Sequence, residues 1–259
     1  FNIEVQKLIN RVQSYEKVKK ITDISRSLGL NSVNFDLIYG LPYQTLEGFR
    51  DTLDKVVALS PERISVFNYA HLPERFPAQK RILDDNLPNS DIKLELLKMT
   101  IEYLIDAGYE YIGMDHFAKP SDSLAIAQKQ GLLRRNFQGY TTHSGTDLVA
   151  FGVSAISDLH GIYIQNYTDL SKYRSAIEKG QLAINKGYIS DFDDRVRHQV
   201  IMTLISSFQL DYKLIEEQYN ISFVEYFAEE MDDLMPMIED GMIEIFKSGM
   251  QTTLNVTDK

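Results

Sequence analysis

Val33-Asn34-Phe35-Asp36-Leu37-Ile38-Tyr39 is an apolar, β-branched run that ends at Gly40 and Pro42. A run of this length and composition, bounded by glycine and proline, is typical of a β-strand. Thr45 then suits the N-cap of a helix, and apolar residues recur at helical spacing over 46–59. A strand, a short turn and a helix in this order predict the first half of a βαβ unit.

The alternation of strand and helix patterns continues along the chain. Residues 63–70 predict a strand, 92–107 an amphipathic helix that ends before Gly108, and 109–114 another strand. Strands separated by helices predict an α/β protein with a parallel sheet. Ligands of such sheets lie beyond the carboxyl ends of the strands. We therefore expect a site near residues 36–39, 68–71 and 115–117.

The second half of the chain has a different pattern. Glycine and small residues lie within the apolar run 148–157, which predicts a close-packed strand or turn. Helical patterns follow from Ser190, including 224–240, which we expect to be bent or interrupted near Pro236. Residues 242–246 predict a strand, and residues 251–256 predict a second strand that pairs with it as a hairpin. Helices followed by such a hairpin indicate a winged-helix arrangement. We place two domains at 1–185 and 186–259.

Composition excludes several classes of protein. The 259 residues carry a net charge of −10, whereas general nucleic-acid binding needs a basic face. No apolar run approaches the roughly 20 residues of a membrane span. The chain has no cysteine, so it holds no disulfide and no thiolate metal site. It starts with Phe1 rather than methionine, which suggests a piece of a longer protein.

Some polar residues permit more than one interpretation. Asp36 lies inside the apolar run, where a buried carboxylate has to be paired or hydrogen-bonded. A structural salt bridge and contact with a bound ligand both satisfy that need. His71, His116 and His143, with Asp115, raise the possibility of a metal site at a barrel mouth. Their spacing fits no compact ligand pattern, so we expect no metal.

Two stretches place polar side chains beside aromatic ones, a mixture that core packing does not require. They are Gly113-Met114-Asp115-His116-Phe117-Ala118 and Asn136-Phe137-Gln138-Gly139-Tyr140-Thr141-Thr142. Together they resemble the signature of the oxygen-independent coproporphyrinogen III oxidases (dehydrogenases), radical S-adenosylmethionine (SAM) enzymes of haem synthesis. The resemblance extends over residues 1–259. The Gly-Leu-Pro-x-Gln-Thr pattern at 40–45 also occurs in the related haem-chaperone branch, so it marks the superfamily branch and not the reaction.

The resemblance implies a fold and a reaction. The fold is α/β, the later part of an incomplete parallel (β/α) barrel followed by a mainly helical C-terminal domain with a β wing. The reaction decarboxylates two propionates of coproporphyrinogen III, giving protoporphyrinogen IX. In the family a reduced 4Fe–4S cluster cleaves SAM to a radical that abstracts hydrogen from a propionate. Closely spaced cysteines in an N-terminal segment hold that cluster, so we expect this cysteine-free chain to be inactive alone.

The resemblance also implies which residues contact ligands. The positions that match contacts to SAM are Arg11, Asp36, Ala70 and Ile156, the last two mainly through the backbone. The residues expected to line the substrate pocket are Phe67, His71, Phe137 and Gln138. Arg134 and Arg135 are either a surface basic pair or part of this wall, since a tetracarboxylate macrocycle needs aromatic surface and cationic donors.

The expected partners follow from the same resemblance. They are a porphyrinogen substrate and an electron donor for the cluster, with no nucleic acid and no membrane, and we expect a cytoplasmic monomer. Two other functions stay open. One is a haem-binding chaperone of the same superfamily, and the other is a barrel metallohydrolase that uses His71, His116 and Asp115.

Overall fold

A computed structural model of the chain describes residues 1–136, 139–143, 145–249 and 251–257. The chain divides into two compact units, Phe1–Lys129 and Gln130–Lys259. The boundary expected between residues 185 and 186 falls inside the second unit, and it stays a prediction. Each unit has its own cluster of buried apolar side chains.

The first unit alternates helices and strands. Its elements in chain order are α1 (Ile3–Leu8), α2 (Tyr15–Ser27), β1 (Asn34–Tyr39), α3 (Leu46–Leu59), β2 (Arg63–Asn68), short 3₁₀ helices at Pro77–Arg81 and Asp84–Asn86, α4 (Ser90–Asp106), β3 (Glu110–Gly113), β4 (His116–Ala118) and α5 (Ser123–Lys129). The quoted stretch therefore forms β1, and the helix predicted over 46–59 is α3.

Local chemistry explains where α3 begins. The hydroxyl of Thr45 accepts a hydrogen bond from the N–H of Gly48 at 3.1 Å, which caps the helix as predicted. Gly40 has a φ of +80°, and a Cβ there would lie 3.3 Å from Oδ1 of Asn68. A residue with a side chain is therefore disfavoured at the point where the chain leaves β1.

The sheet of the first unit has the strand order β1-β2-β4-β3. β1 and β2 are parallel, as predicted, whereas β4 is antiparallel to both of its neighbours. The wholly parallel sheet expected from the sequence was therefore wrong: residues after the predicted strand 109–114, including His116 and Phe117, form the antiparallel strand β4, and the expectation that 115–117 lie near a site stays a prediction. Positive φ values at Gly113 (139°) and Met114 (50°) reverse the chain there. The returning β4 then lies between β2 and β3 in the sheet.

Helices α3 and α4 cover one face of this sheet. The side chains buried between them and the sheet include Leu53, Val56, Ile64, Val66, Leu96, Leu104 and Phe117. Full burial of one such side chain contributes about 1.5–3 kcal/mol. The opposite face of β1 keeps exposed residues, so the first unit carries helices on one face of β1 and an open surface on the other.

Glu62 forms polar contacts with the residue before β1, with α2 and with the residue after β4. Its carboxylate accepts the N–H of Val33 at 3.0 Å and pairs with Arg26 at 3.3 Å and Lys119 at 3.4 Å. Burial acts to raise the pKa of Glu62, but the hydrogen bond and the two cations outweigh it, and the pKa lies below its usual value. The stabilisation is therefore present above the unfolded-state pKa and is lost as the pH falls through the folded-state pKa.

Replacing Glu62 should destabilise the protein in a pH-dependent manner. Glu62→Gln should lower the free energy of unfolding by about 1–3 kcal/mol at neutral pH, because hydrogen bonds to a charged group are lost. The difference from wild type should shrink below about pH 4.5, where the carboxylate protonates in the unfolded state. Urea titrations from pH 7 to pH 3 measure it. Glu102→Gln removes an exposed pair with Lys98 and should change little. A difference that stays constant down to pH 3 would contradict the assignment.

The second unit contains separate antiparallel sheets and a helical part. Its elements in chain order are β5 (Arg134–Asn136), β6 (Gly139–Thr141), β7 (Ile156–Leu159), β8 (Ile162–Asn166), α6 (Leu170–Glu178), β9 (Ile184–Ile189), α7 (Phe192–Ser207), β10 (Gln209–Asp211), α8 (Tyr212–Tyr219), α9 (Phe223–Tyr226), α10 (Ala228–Asp233), α11 (Met235–Glu239), β11 (Ile243–Ser248) and β12 (Gln251–Val256). The strand orders are β7-β8-β9 and β10-β12-β11.

The wing predicted from the sequence is present as β11 and β12, and β10 adds a third strand to it. The helix expected over 224–240 is interrupted near Pro236, one of the two expected forms, and a further break before Ala228 divides the region into the short helices α9, α10 and α11. Pro236 lies in the first turn of α11, where its missing N–H costs no helical hydrogen bond. In the region 148–157, where a strand or turn was expected, Leu148 forms a single bridge with Asp158 of β7, and β7 begins at Ile156.

Apolar packing holds the helical part and its wing together. The ring of Tyr212 stacks on that of Phe223 with centroids 3.9 Å apart, and Val196, Leu210 and Leu254 are almost fully buried beside them. None of the helices in the described ranges is both long enough and apolar enough to span a membrane.

Candidate functional site

The open face of β1 carries its polar side chains. Asn34, Asp36 and Ile38 are exposed, while Phe35 and Leu37 alternate with them and pack against the apolar core. This alternation follows from the period of two along a strand. Asp36 therefore lies on the face opposite to the core that α3 and α4 cover, and it is exposed rather than buried.

Neighbouring strands add residues to the same face. Ser65 of β2 is the register partner of Asp36, and Phe67 is the partner of Ile38. His116 of β4 lies opposite Ser65, and its ring meets that of Phe67 edge-on with centroids 6.0 Å apart. Register partners point to the same side of a sheet, so this face combines a carboxylate, a hydroxyl, an imidazole and an aromatic ring.

A cavity of about 560 Å³ lies along β1 and between β1 and the helices α1, α2 and α3. Three of the residues predicted from the sequence line it, namely Arg11, Asp36 and Phe67. In the described part of the chain, the guanidinium of Arg11 makes no ion pair or side-chain hydrogen bond. The lining of the cavity thus includes a cation, which is not ion-paired among the described residues, and a carboxylate.

The surroundings of Asp36 decide between its two interpretations. Its Oδ1 accepts a hydrogen bond from Nδ2 of Asn34 at 2.6 Å. Among the described residues it forms no ion pair, so the structural salt bridge was wrong. An exposed strand position leaves the carboxylate solvated, which removes the need for a compensating cation. Contact with a bound ligand stays a prediction.

The turn after β1 is held by its own side chains. Nε2 of Gln44 donates to the carbonyl of Ile38 at 2.9 Å, and Oε1 accepts the N–H of Leu41 at 3.0 Å. The N–H of Tyr43 donates to the carbonyl of Asn86 at 2.9 Å. The Gly-Leu-Pro-x-Gln-Thr pattern therefore has a structural role, the closure of the turn that ends β1.

Ala70 and His71 lie past the end of β2, outside the lining of the cavity. Nδ1 of His71 lies 3.2 Å from the hydroxyl of Tyr69, and Nε2 lies 3.1 Å from Oδ1 of Asp84. Burial raises the pKa of Tyr69, so its hydroxyl keeps its proton at neutral pH. In the tautomer with the proton on Nε2, this nitrogen donates to Asp84 and Nδ1 accepts a hydrogen bond from the hydroxyl of Tyr69. Both ring nitrogens of His71 then have a hydrogen-bond partner.

The remaining predicted residues belong to the second unit. Ile156 is half-buried at the start of β7. Phe137 and Gln138 lie outside the described residues. The guanidinium carbon of Arg135 lies 4.8 Å from the ring centroid of Tyr140, whereas Arg134 donates to the carbonyls of Gly131 and Leu133. The two arginines therefore differ: among the described residues, Arg135 stacks on an aromatic ring, whereas Arg134 bonds to backbone carbonyls.

Metal ligation was the competing interpretation of the histidines. Within the ranges that the structure describes, no three His, Asp or Glu residues are grouped so that they could hold a metal ion. His71 is engaged by Tyr69 and Asp84, as given above.

Sequence reasoning missed several residues that the fold places beside the predicted ones. Asn34 and Ser65 share the face of Asp36, and Gln79 contacts the backbone of Ala70. The period of two along β1 and β2 was the signal for Asn34 and Ser65, because it assigns them to the same side as Asp36. Gln79 lies in the short 3₁₀ helix Pro77–Arg81, whose sequence has no periodic pattern, so no comparable signal exists for it.

Known proteins similar to the chain point to one family. A family model described as the HemN C-terminal domain matches residues 191–255. The oxygen-independent coproporphyrinogen III oxidase of Pseudomonas aeruginosa is 51% identical over 253 residues, which cover 98% of this chain and 55% of that protein. The relative of the same description from Thermostichus vulcanus is 44% identical over 254 residues, which cover 98% of this chain and 78% of that protein.

A solved structure has the same fold as the chain. Coproporphyrinogen III oxidase (HemN) from Escherichia coli, described as a radical SAM enzyme, matches with a TM-score of 0.95 and 46% sequence identity. The match covers 100% of this chain and 59% of that one. The predicted α/β fold class is thereby confirmed. The chain spans little more than half the length of the Pseudomonas and Escherichia relatives.

Proposed function

The chain belongs to the family of oxygen-independent coproporphyrinogen III oxidases, and we propose that the whole protein decarboxylates coproporphyrinogen III to protoporphyrinogen IX by radical SAM chemistry. The observation that carries the proposal is the placement of Arg11 and Asp36 on one cavity, both without an ion-pair partner among the described residues. A free guanidinium and a free carboxylate in one cavity suit a ligand that bears both charges.

The residues present are compatible with SAM. Its methionine end carries a carboxylate, which the planar fork of Arg11 can bind, and an ammonium group, which a carboxylate such as Asp36 can accept. Apolar side chains, including Ile9 and Phe67, line the same cavity and suit the uncharged parts of the molecule. We assign the binding of SAM to Arg11, Asp36, Ala70 and Ile156.

The protein has a positioning role in this proposal. SAM and a 4Fe–4S cluster, when bound, supply the hydrogen abstraction from a propionate side chain. This chain binds and orients SAM through the charged groups of the cavity, and it excludes water with the apolar ones. The cluster requires thiolate ligands from outside this chain, which has no cysteine, and an electron donor.

The residues proposed for the substrate pocket are given for each unit by itself. Coproporphyrinogen III combines an apolar macrocycle with four carboxylates, so its pocket needs aromatic surface and cationic donors. Phe67 and His71 are the proposed contributions of the first unit. Phe137 and Gln138 are those of the second, and the stacked pair of Arg135 and Tyr140, which flank them in the sequence, supports them.

An anaerobic assay of the full-length protein tests the proposal. Given SAM, a reductant for the cluster and coproporphyrinogen III, the protein should release carbon dioxide and form protoporphyrinogen IX. A haem titration accompanies the assay. Stoichiometric haem binding without any decarboxylation would overturn the proposal in favour of a haem-binding chaperone.

Variants of Phe137 and Gln138 should separate substrate binding from SAM cleavage. Phe137→Ala removes apolar surface, and Gln138→Ala removes an amide donor and acceptor. Each should lower coproporphyrinogen III turnover roughly 10–100-fold, while SAM cleavage without substrate changes little. Lys98→Ala and Lys247→Ala, at exposed positions on α4 and β11, serve as controls. Equal turnover in all four variants, or SAM cleavage that falls in step with turnover, would remove these residues from the pocket.

A further inference from the structure

Gln79 holds the backbone on both sides of His71. Its Oε1 accepts the N–H of Leu72 at 2.6 Å, and its Nε2 donates to the carbonyl of Ala70 at 3.0 Å. One amide therefore satisfies two peptide groups that follow the last residue of β2 and belong to no ladder. Gln79 is itself only partly exposed, in the 3₁₀ helix Pro77–Arg81.

The end of β1 has the same arrangement. Gln44 donates to the carbonyl of Ile38 and accepts from the N–H of Leu41, at 2.9 and 3.0 Å. Both strands of the parallel pair thus end in a segment whose peptide groups are bonded by a glutamine amide. The repetition at two adjacent strand ends, where ligands of parallel sheets bind, indicates that the geometry of these segments matters.

Residues that follow Gln79 make two further contacts, one with His71 and one with the turn after β1. Asp84 pairs with Nε2 of His71 at 3.1 Å, and the carbonyl of Asn86 accepts the N–H of Tyr43 at 2.9 Å. Residues 77–86 therefore connect the segment after β2 to the turn after β1. We call residues 77–86 the brace.

The brace leaves specific donors available. Ala70 is exposed, so side-chain packing does not orient its peptide groups. Its carbonyl is occupied by Gln79, whereas the N–H groups of Ala70 and His71 have no hydrogen-bond partner among the described residues. Two unpaired donors on a segment of defined conformation suit a ligand that is recognised through the backbone.

We infer that Gln79 is a positioning residue for SAM, because its amide fixes the peptide groups of Ala70, His71 and Leu72 in the orientation that the ligand needs. The inference rests on the proposed function, which assigns a backbone contact with SAM to Ala70. Gln79 itself does not touch SAM; it acts through the backbone of Ala70. Preorganisation of this kind lowers the entropic cost of binding and so acts on affinity.

Gln79→Met in the full-length protein tests the inference. Methionine keeps the approximate volume of the side chain and removes both hydrogen bonds. The amide of Leu72 should exchange hydrogen faster, as measured by hydrogen–deuterium exchange without SAM. The dissociation constant for SAM, from anaerobic equilibrium dialysis, should rise about tenfold, as expected for the loss of hydrogen bonds of ordinary strength. The temperature of unfolding should match that of the control described next.

Gln128→Met is the matched control. Gln128 is also partly exposed, and its Nε2 also donates to a backbone carbonyl, that of Ile112 at 2.6 Å, but it lies on α5. This variant should bind SAM like the wild type. Gln79→Glu provides a second test, because it keeps the acceptor for Leu72 and loses the donor to Ala70. It should bind SAM more weakly while the amide of Leu72 stays protected.

The possible outcomes separate the inference from the proposed function. Wild-type affinity for SAM in both Gln79 variants would overturn the inference and leave the proposed function intact. An equal loss of affinity in Gln79→Met and Gln128→Met would also overturn it, since the effect would then be general destabilisation. Failure of the wild-type protein to bind SAM would overturn the proposed function and the inference together.

Discussion

Anaerobic reconstitution of the 259-residue chain with iron and sulfide should yield no 4Fe–4S cluster and no turnover of coproporphyrinogen III. The family holds its cluster through thiolates, and this chain contains no cysteine. The histidines and carboxylates of the described residues form no group that could replace them. The effect is a complete loss rather than a partial one, because the hydrogen abstraction depends on the cluster.

The measurement is the visible absorbance of the reconstituted chain, together with its iron and sulfide content. Circular dichroism of the same sample establishes that the chain is folded, so that absence of a cluster is not a consequence of unfolding. A full-length member of the family, treated in parallel, shows that the reconstitution itself succeeds. A stable stoichiometric cluster on this chain would contradict the proposed division of roles between the chain and the rest of the protein.

The elements with strong local signals could be predicted from the sequence. Thr45 supplies a cap and residues 46–59 a helical period, and α3 begins and ends where these signals lie. β11 and β12 were predictable because a turn at Gly249 separates two β-rich runs. In these places local propensity and tertiary structure agree, so the sequence contains enough information.

The sequence predictions failed where contacts between distant parts of the chain determine the structure. β4 has only a few residues, and its pairing with β2 depends on the turn at Met114 rather than on its own composition. The run that contains Asp36 consists mainly of apolar residues, as in a strand buried on both faces. Only the fold reveals that one face of β1 meets helices and the other stays open. For that reason the sequence could not distinguish a salt-bridged Asp36 from an exposed one.

The candidate site could be predicted in part. Arg11, Asp36 and Phe67 are far apart in the sequence, and they share a cavity. The resemblance had named all three, but neither their proximity nor their exposure followed from residue patterns. Gln79 could not be predicted, since its contacts with Ala70 and Leu72 join loop residues that have no periodic spacing.

Asp36→Asn in the full-length protein should lower SAM cleavage and coproporphyrinogen III turnover together, by about 100-fold. Asparagine has the shape of aspartate, and its Oδ1 can still accept the hydrogen bond that Asn34 donates. The substitution therefore removes the charge and little else. A reactant that loses one of its charged contacts binds in a less favourable orientation, and such misplacement lowers both reactions that depend on SAM.

Stability should be almost unchanged in this variant, and that distinguishes a ligand contact from a structural role. Asp36 is exposed and has no ion pair among the described residues, so its neutralisation should change the free energy of unfolding by less than about 0.5 kcal/mol. The control is Asp106→Asn, at an exposed carboxylate at the end of α4, which should leave both stability and turnover near wild type. Turnover and SAM cleavage are measured on the preparation used for urea unfolding. If Asp36→Asn unfolds more easily while its folded molecules keep wild-type turnover, Asp36 is a structural residue and the assignment of this cavity to SAM loses its main support.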